Sequence, residues 1–196
     1  MTIPTSVVSP DLTALTLAAD EAGLRVLSAA AWPETPDDVA ATPLAGFIDS
    51  TFSPLVAEAA GRALRRRDAG APGSPTSGSV TAIVIATTRG DVTSAIRVAS
   101  AVDNGRGVPP LHFFQSVPNS VAGHLAARWR LTGPVVCVSG ITAGVEVAAL
   151  LITDGDADAA LVVSVDLAVT DGDRDRAAAI VVTFPDVQAP PGMSGT

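Results

Sequence analysis

Apolar residues along this chain fall into two patterns, short unbroken runs and longer stretches with helical spacing. The run "VTAIVIA" (80–86) is the clearest of the first kind and predicts a strand covered on both faces. "RVLSAAAW" (25–32) predicts a first strand stopped by Pro33, and "PVVCVS" a third. "DAALVVSVDL" and "RAAAIVVTF" predict two final strands joined by an Asp-rich turn. Helical spacing covers about 50–67, with Ser50 or Asp49 as caps, and 92–103, capped by Asp91 and stopped at Asn104-Gly105. It returns in "PNSVAGHLAARWRL", which opens at Pro118 and ends at Gly133, and in 142–153. Residues 1–23 read as a loosely organised lead-in with a short helix in "DLTALTLAADEAG", 69–79 as a linker, and 186–196 as a flexible tail. One domain is left, over 24–185. The order β-α-β-α-α-β-α-β-β predicts an α/β fold, a mixed, mostly parallel sheet with helices on both faces.

The helix over 142–153 is unusual. Between Thr142 and Asp154 its only charged residue is Glu146. Val145, Ala148, Ala149 and Ile152 share one face, while Val147, Leu150 and Leu151 lie opposite. One sheet covers one side only. Leaving three aliphatic side chains in water forgoes roughly 1.5–3 kcal/mol each, so the pattern predicts that this helix meets a partner.

Composition narrows the chemistry. The 196 residues are 47% hydrophobic and 16% charged, a globular profile. All twelve basic residues are arginine, which excludes a lysine Schiff base or a Ser-Lys pair. A net charge of −8 argues against nucleic acid as a partner. Cys137 is the single cysteine, so no disulfide framework or multi-thiolate metal site is expected. No secretory signal precedes the domain, and the apolar run 141–152 is shorter than the roughly 20 residues a bilayer requires. The expectation is a cytoplasmic protein that neither enters a membrane nor carries a cofactor.

The residues able to carry chemistry are few. Gly140-Ile141-Thr142-Ala143-Gly144 has the form of a Gly-x-Ser-x-Gly elbow with threonine at its centre. The simpler reading makes Thr142 a helix N-cap and the glycines aids to the turn and to close packing. Cys137 lies within a strand as a small hydrophobe, and Ser139 at its end. His124 falls one turn above Ser120 on a helix, and His112 sits in loop or strand beside Phe113 and Phe114; two histidines without spacing predict no zinc site. "DGDADA" (154–159) lacks the glycine and glutamate of a calcium loop, and "DGDRDR" (171–176) likewise reads as a solvated turn. "RALRRRD" (62–68) is the one concentrated basic segment, at a helix end where cations complement the macrodipole.

Several segments in order resemble the amino-terminal half of β-ketoacyl synthases, of the thiolase fold: "FIDSTFSPLVAEAAGRAL", "VTAIVIATTRGDVTSAIRVASA", "SVPNSVAGHLAARWRLTGPVVCVSGITAG", "DADAALVVSVDL" and "DRAAAIVVTF". The resemblance runs over about 25–184 and implies a thiolase-like half-fold. In that family a nucleophilic cysteine follows the Gly-Pro-Val-Val strand by six residues, and here that position is Thr142. A helix N-terminus lowers a thiol's pKa enough to matter, whereas a hydroxyl stays protonated and needs a base. The family's catalytic histidines and lysine belong to a carboxy-terminal half that the matched segments precede, and its long loop between the last two strands is here only "AVTDGDR". The resemblance therefore implies a catalytically inactive association subunit of type II polyketide or fatty-acid biosynthesis. It implies contact through the strand before the nucleophile position (Val135, Val136, Cys137, Val138) and through Val147, Leu150 and Leu151. The partner is a second copy or a complete ketosynthase. Acyl carrier proteins are acidic, which points to docking at positions 63, 65, 66 and 67, that is Ala63, Arg65, Arg66 and Arg67, beside Arg62. Two rivals remain: an acyl-thioester hydrolase or transferase using Thr142 with His112 or His124 as base, and an acyl-chain binding module.

Overall fold

The computed structural model describes residues 9–47, 50–70, 79–170 and 173–185; Asp49, most of the 69–79 linker, the 186–196 tail and the Asp-Gly at 171–172 lie outside them. Eleven elements follow in order: α1 (Pro10–Glu21), β1 (Arg25–Trp32), α2 (Phe52–Gly70), β2 (Thr81–Ala86), α3 (Val92–Asp103), α4 (Pro110–Gln115), α5 (Asn119–Trp129), β3 (Val135–Val138), α6 (Ile141–Thr153), β4 (Ala159–Asp166) and β5 (Arg176–Thr183). The strands form one sheet in the order β1-β5-β4-β2-β3. β2 runs parallel to both β3 and β4, and β5 is antiparallel to β4 and to β1. Four strands thus share a direction and β5 alone opposes them.

Alternation along the strands divides the core in two. Ile83, Ile85, Leu161 and Val163 face α2 and α5, where Ala59, Ala60 and Ala63 let α2 come close. Ala82, Val84, Val162 and Ile180 face α1 and α6 on the other side. The lead-in expected to be loose holds helix α1 in its described part. Ser9 caps α1 by accepting from Leu12 N–H at 3.4 Å, Pro10 occupies its first turn, and Leu15 and Ala19 are fully buried. Two further differences are local. The segment "PLHFFQ", left open as loop or strand, is helix α4. The helix expected to reach Gly133 stops at Trp129, because Arg130 adopts a left-handed conformation (φ 55°) that lets Leu131 N–H return to the Ala126 carbonyl at 3.0 Å.

Two helix starts are tied together. The Ser50 hydroxyl accepts from Ser53 N–H at 3.0 Å, capping α2, and donates to Asp91 Oδ2 at 2.6 Å. Asp91, itself buried, caps α3 through Ser94 N–H at 3.0 Å and accepts from the Ser94 hydroxyl at 2.7 Å. Every polar atom in this buried cluster finds a partner, which the interior demands.

The two outer strands are finished differently. On β1, Ala31 N–H donates to Glu34 Oε1 (2.9 Å), Arg66 Nη1 donates to the Ala29 carbonyl (2.7 Å) and Arg62 Nη1 to the Ala31 carbonyl (3.3 Å). The same guanidiniums are held by carboxylates, Arg66 by Glu34 at 2.7 Å and Arg62 by Asp38 at 2.7 Å and Glu58 at 3.0 Å. Side chains occupy the backbone groups that another strand would use. The Arg62 hydrogen bond, against the cost of partial burial, holds the Asp38 carboxyl well below the usual carboxylate range. Burial alone would raise Glu34, but hydrogen bonds from Arg66 and Ala31 N–H outweigh it and lower its pKa too. Carboxyls depressed in the folded state stabilise it fully above their unfolded values, near pH 4, and lose that contribution as pH falls through the folded values. The denaturation midpoint is therefore expected to fall as pH is lowered below about 4. In Arg62→Gln the protein is weaker at neutral pH and this acid dependence is shallower, which urea titrations at a series of pH values measure.

β3 reaches the sheet through a close approach. Gly133 N–H donates to the Thr81 carbonyl at 3.1 Å, and a Cβ on Gly133 would lie 2.6 Å from the Thr81 and Ala82 backbone. Gly133→Ala must push β3 off β2 or distort the turn, and about 1–3 kcal/mol of stability is expected to go in denaturant unfolding.

Candidate functional site

The turn from β3 into α6 is built by its glycines. Gly140 has φ 87°, a conformation side chains resist, and it is the residue preceding the helix. A Cβ on Gly144 would meet the Ala86 Cβ at 3.0 Å and Val162 at 3.5 Å, so this glycine seats α6 on the sheet. The expected cap is thereby corrected. The helix begins at Ile141 with Gly140 in the cap position and no side-chain cap bond; Thr142 lies inside the first turn, exposed, and its hydroxyl makes no hydrogen bond among the described residues.

No base is bonded to that hydroxyl. His124 belongs to α5, on the opposite face of the sheet from α6, and its ring meets Phe47 edge-on with centroids 6.1 Å apart. His112 lies on α4. The carboxylate nearest in helical register is Glu146, exposed one turn further along α6. Cys137 is half-buried on β3, opposite Ile85 in register, and burial pushes its thiol up from the ordinary range. Ser139 is exposed at the strand end.

A hollow of about 570 Å³ lies on the α4–α5 side, lined by Phe47, Phe114, Val117, Asn119, Ser120, Gly123 and His124. The Gln115 amide donates to the Gly46 carbonyl and the Ser120 hydroxyl to the Phe114 carbonyl, fixing its rim. Phe114 is 61% exposed. The sequence reading passed over this hollow; its one signal was apolar residues in "FFQSVP" that fit no strand or long helix.

β3 is the outermost strand, with Val135 exposed and Val136, Cys137 and Val138 half-buried. On α6, Val147 and Leu151 are half-buried and Leu150 is 56% exposed. α1 packs beside α6 and supplies part of the cover that its apolar surface called for.

The basic segment is mostly committed. Ala63 is fully buried in the core and belongs to no docking surface. Arg66 and Arg62 serve the β1 edge, and Arg67 pairs with Asp68 at 2.9 Å. Arg65 faces a groove between α2 and α5. The two acidic turns act within the fold: Asp158 accepts from Val80 N–H at 2.7 Å and Asp175 from Ala168 N–H at 2.8 Å. Among the described residues no group of three or more His, Cys, Asp or Glu side chains could hold a metal ion, and no helix is long and apolar enough to cross a membrane.

No curated protein matches the chain in sequence. Solved structures do share its fold. A ketosynthase in complex with its chain length factor from Xenorhabdus doucetiae (ApeO and ApeC) superposes with a TM-score of 0.65 at 16% identity, covering 83% of this chain and 79% of that one. The ishigamide ketosynthase/chain length factor gives 0.58 at 20% identity, covering 75% of this chain and 47% of that one. A β-ketoacyl synthase from Burkholderia phymatum gives 0.55 at 16%, covering 68% and 42%. The chain thus spans less than half the length of the last two. The β-ketoacyl synthase N-terminal domain model matches residues 45–188, nearly everything from the loop before α2 to the end of β5. The mixed five-stranded sheet with helices on both faces is a thiolase-like ketosynthase fold, and the chain belongs to the β-ketoacyl synthase N-terminal domain family.

Proposed function

We propose that this protein is a non-condensing, ketosynthase-like subunit that associates with a complete ketosynthase in polyketide or fatty-acid biosynthesis. The observation that carries the reading is the pair of sheet edges: β1 is closed by Glu34, Arg62 and Arg66, whereas β3 lies outermost in the sheet with Val135 exposed, and Leu150 of α6 is exposed as well. An uncovered edge flanked by apolar side chains is suited to a partner of like fold. Ketosynthases in complex with chain length factors among the similar structures favour a heteromer over a homodimer. Thr142 takes the position of the family's nucleophile, and a hydroxyl with no base bonded to it forms no acyl-enzyme at a useful rate.

A second reading has one observation of its own, the hollow beside Phe47, Phe114 and Val117, which has room for part of an acyl chain. It predicts bound acyl material by native mass spectrometry.

Light scattering of the protein mixed with a ketosynthase from the same source is expected to give a stable heteromer. Leu150→Glu or Val147→Glu should dissociate it, and an unchanged assembly mass in both variants would overturn the interface. The nucleophile position has a separate check. In a Cys137→Ser background, Thr142→Cys is expected to alkylate with iodoacetamide faster than Cys137 does in the unaltered protein, since it is exposed at a helix N-terminus while Cys137 is held protonated by burial.

A further inference from the structure

The groove between α2 and α5, about 350 Å³, has an unusual balance of charge and hydrogen-bonding capacity. Two guanidiniums border it, Arg65 from α2 and Arg128 from α5, and neither has a carboxylate partner among the described residues. The one carboxylate in the wall, Glu58, is held by Arg62 at 3.0 Å. Trp129 also lines the groove, and its indole Nε1–H, buried out of reach of solvent and without an acceptor among the described residues, reports on it.

The helix backbone is adapted to the same spot. Gly61 sits in the interior of α2, where glycine costs about 1 kcal/mol relative to alanine. A Cβ there would lie 3.2 Å from Arg65 Nη1 and 3.8 Å from Trp129 Cζ2. The bare glycine thus makes the space in which the guanidinium and the indole come together. Pro43, Leu44, Ala57 and Leu125 supply an apolar wall beside them.

The geometry points to a binding site for a small organic oxyanion, a carboxylate or phosphate monoester with a flat apolar body, held by Arg65 and Arg128 in the α2–α5 groove. In a chain of net charge −8 two guanidiniums without a carboxylate partner among the described residues line one groove, and guanidiniums suit planar or tetrahedral oxyanions.

The indole N–H resonance of Trp129 tests it, because the only other tryptophan is Trp32 and a Trp32→Phe variant assigns the signal. The probes are phenyl phosphate, benzoate and inorganic phosphate, titrated into the ¹⁵N-labelled protein. Phenyl phosphate or benzoate is expected to shift the resonance saturably with a Kd on the order of 1 mM or tighter, and inorganic phosphate more weakly because it has nothing to place on the apolar wall. Arg65→Gln with Arg128→Gln should weaken binding by about tenfold or more while the rest of the spectrum keeps its folded dispersion. A resonance that none of the probes moves, or that moves equally in the double variant, would overturn the site. Shifts of equal size and affinity with all three probes would reduce it to surface charge and overturn the organic ligand.

Discussion

A sheet open at both ends leaves two rows of backbone donors and acceptors, and the fate of those rows governs how this molecule can be used. At β1 the row is occupied from within the chain. Glu34 takes the Ala31 N–H, and two arginines of α2 take the Ala29 and Ala31 carbonyls while remaining paired with acids. Neither half of that arrangement works alone. A guanidinium without Glu34 or Asp38 would be an exposed, mobile cation of little structural worth, and a carboxylate without the guanidiniums would bring a bare charge beside backbone carbonyls. Growth of the sheet in that direction is blocked by the chain's own side chains.

The helical layers follow from the same sheet. Alternation sends Ile83, Ile85 and Leu161 to one face and Val84, Val162 and Ile180 to the other, so both faces need cover. α2, with alanines turned inward, closes one with α5. On the other, α6 sits tightly at Gly144 and α1 lies alongside it. The continuous apolar surface of α6 is then shared between the sheet, α1 and the side where Leu150 remains in water.

Much of this was legible in the residues. All five strands were readable because each is a compact apolar run bounded by Gly, Pro or Asp, and α3 because Asp91 and Asn104-Gly105 mark its ends. The role of α1 was hidden: "DLTALTLAADEAG" is polar on one side and modestly apolar on the other, and only the packing of Leu15 and Ala19 reveals how firmly it is seated. The end of α5 was misplaced because a left-handed arginine carries no sequence signal of the kind glycine does. At the β3–α6 turn the glycines were read correctly, but the cap was given to Thr142 when backbone geometry gives it to Gly140. The basic segment misled for a different reason. Arginines four apart on a helix look like a docking stripe, and their acids, Glu34 and Asp38, stand in a loop some thirty residues earlier that no local pattern connects to them.

The closure of β1 also says where inheritance can vary. Its contacts end on main-chain atoms of Ala29 and Ala31, so the side chains of that strand are free to drift as far as core packing on either face allows. Glu34, Asp38, Arg62 and Arg66 have no such freedom, because each carboxylate is held by one of the guanidiniums and each guanidinium by one of the carboxylates. Among descendants of this sequence these positions should be kept or lost together, with the strand they close changing on its own schedule.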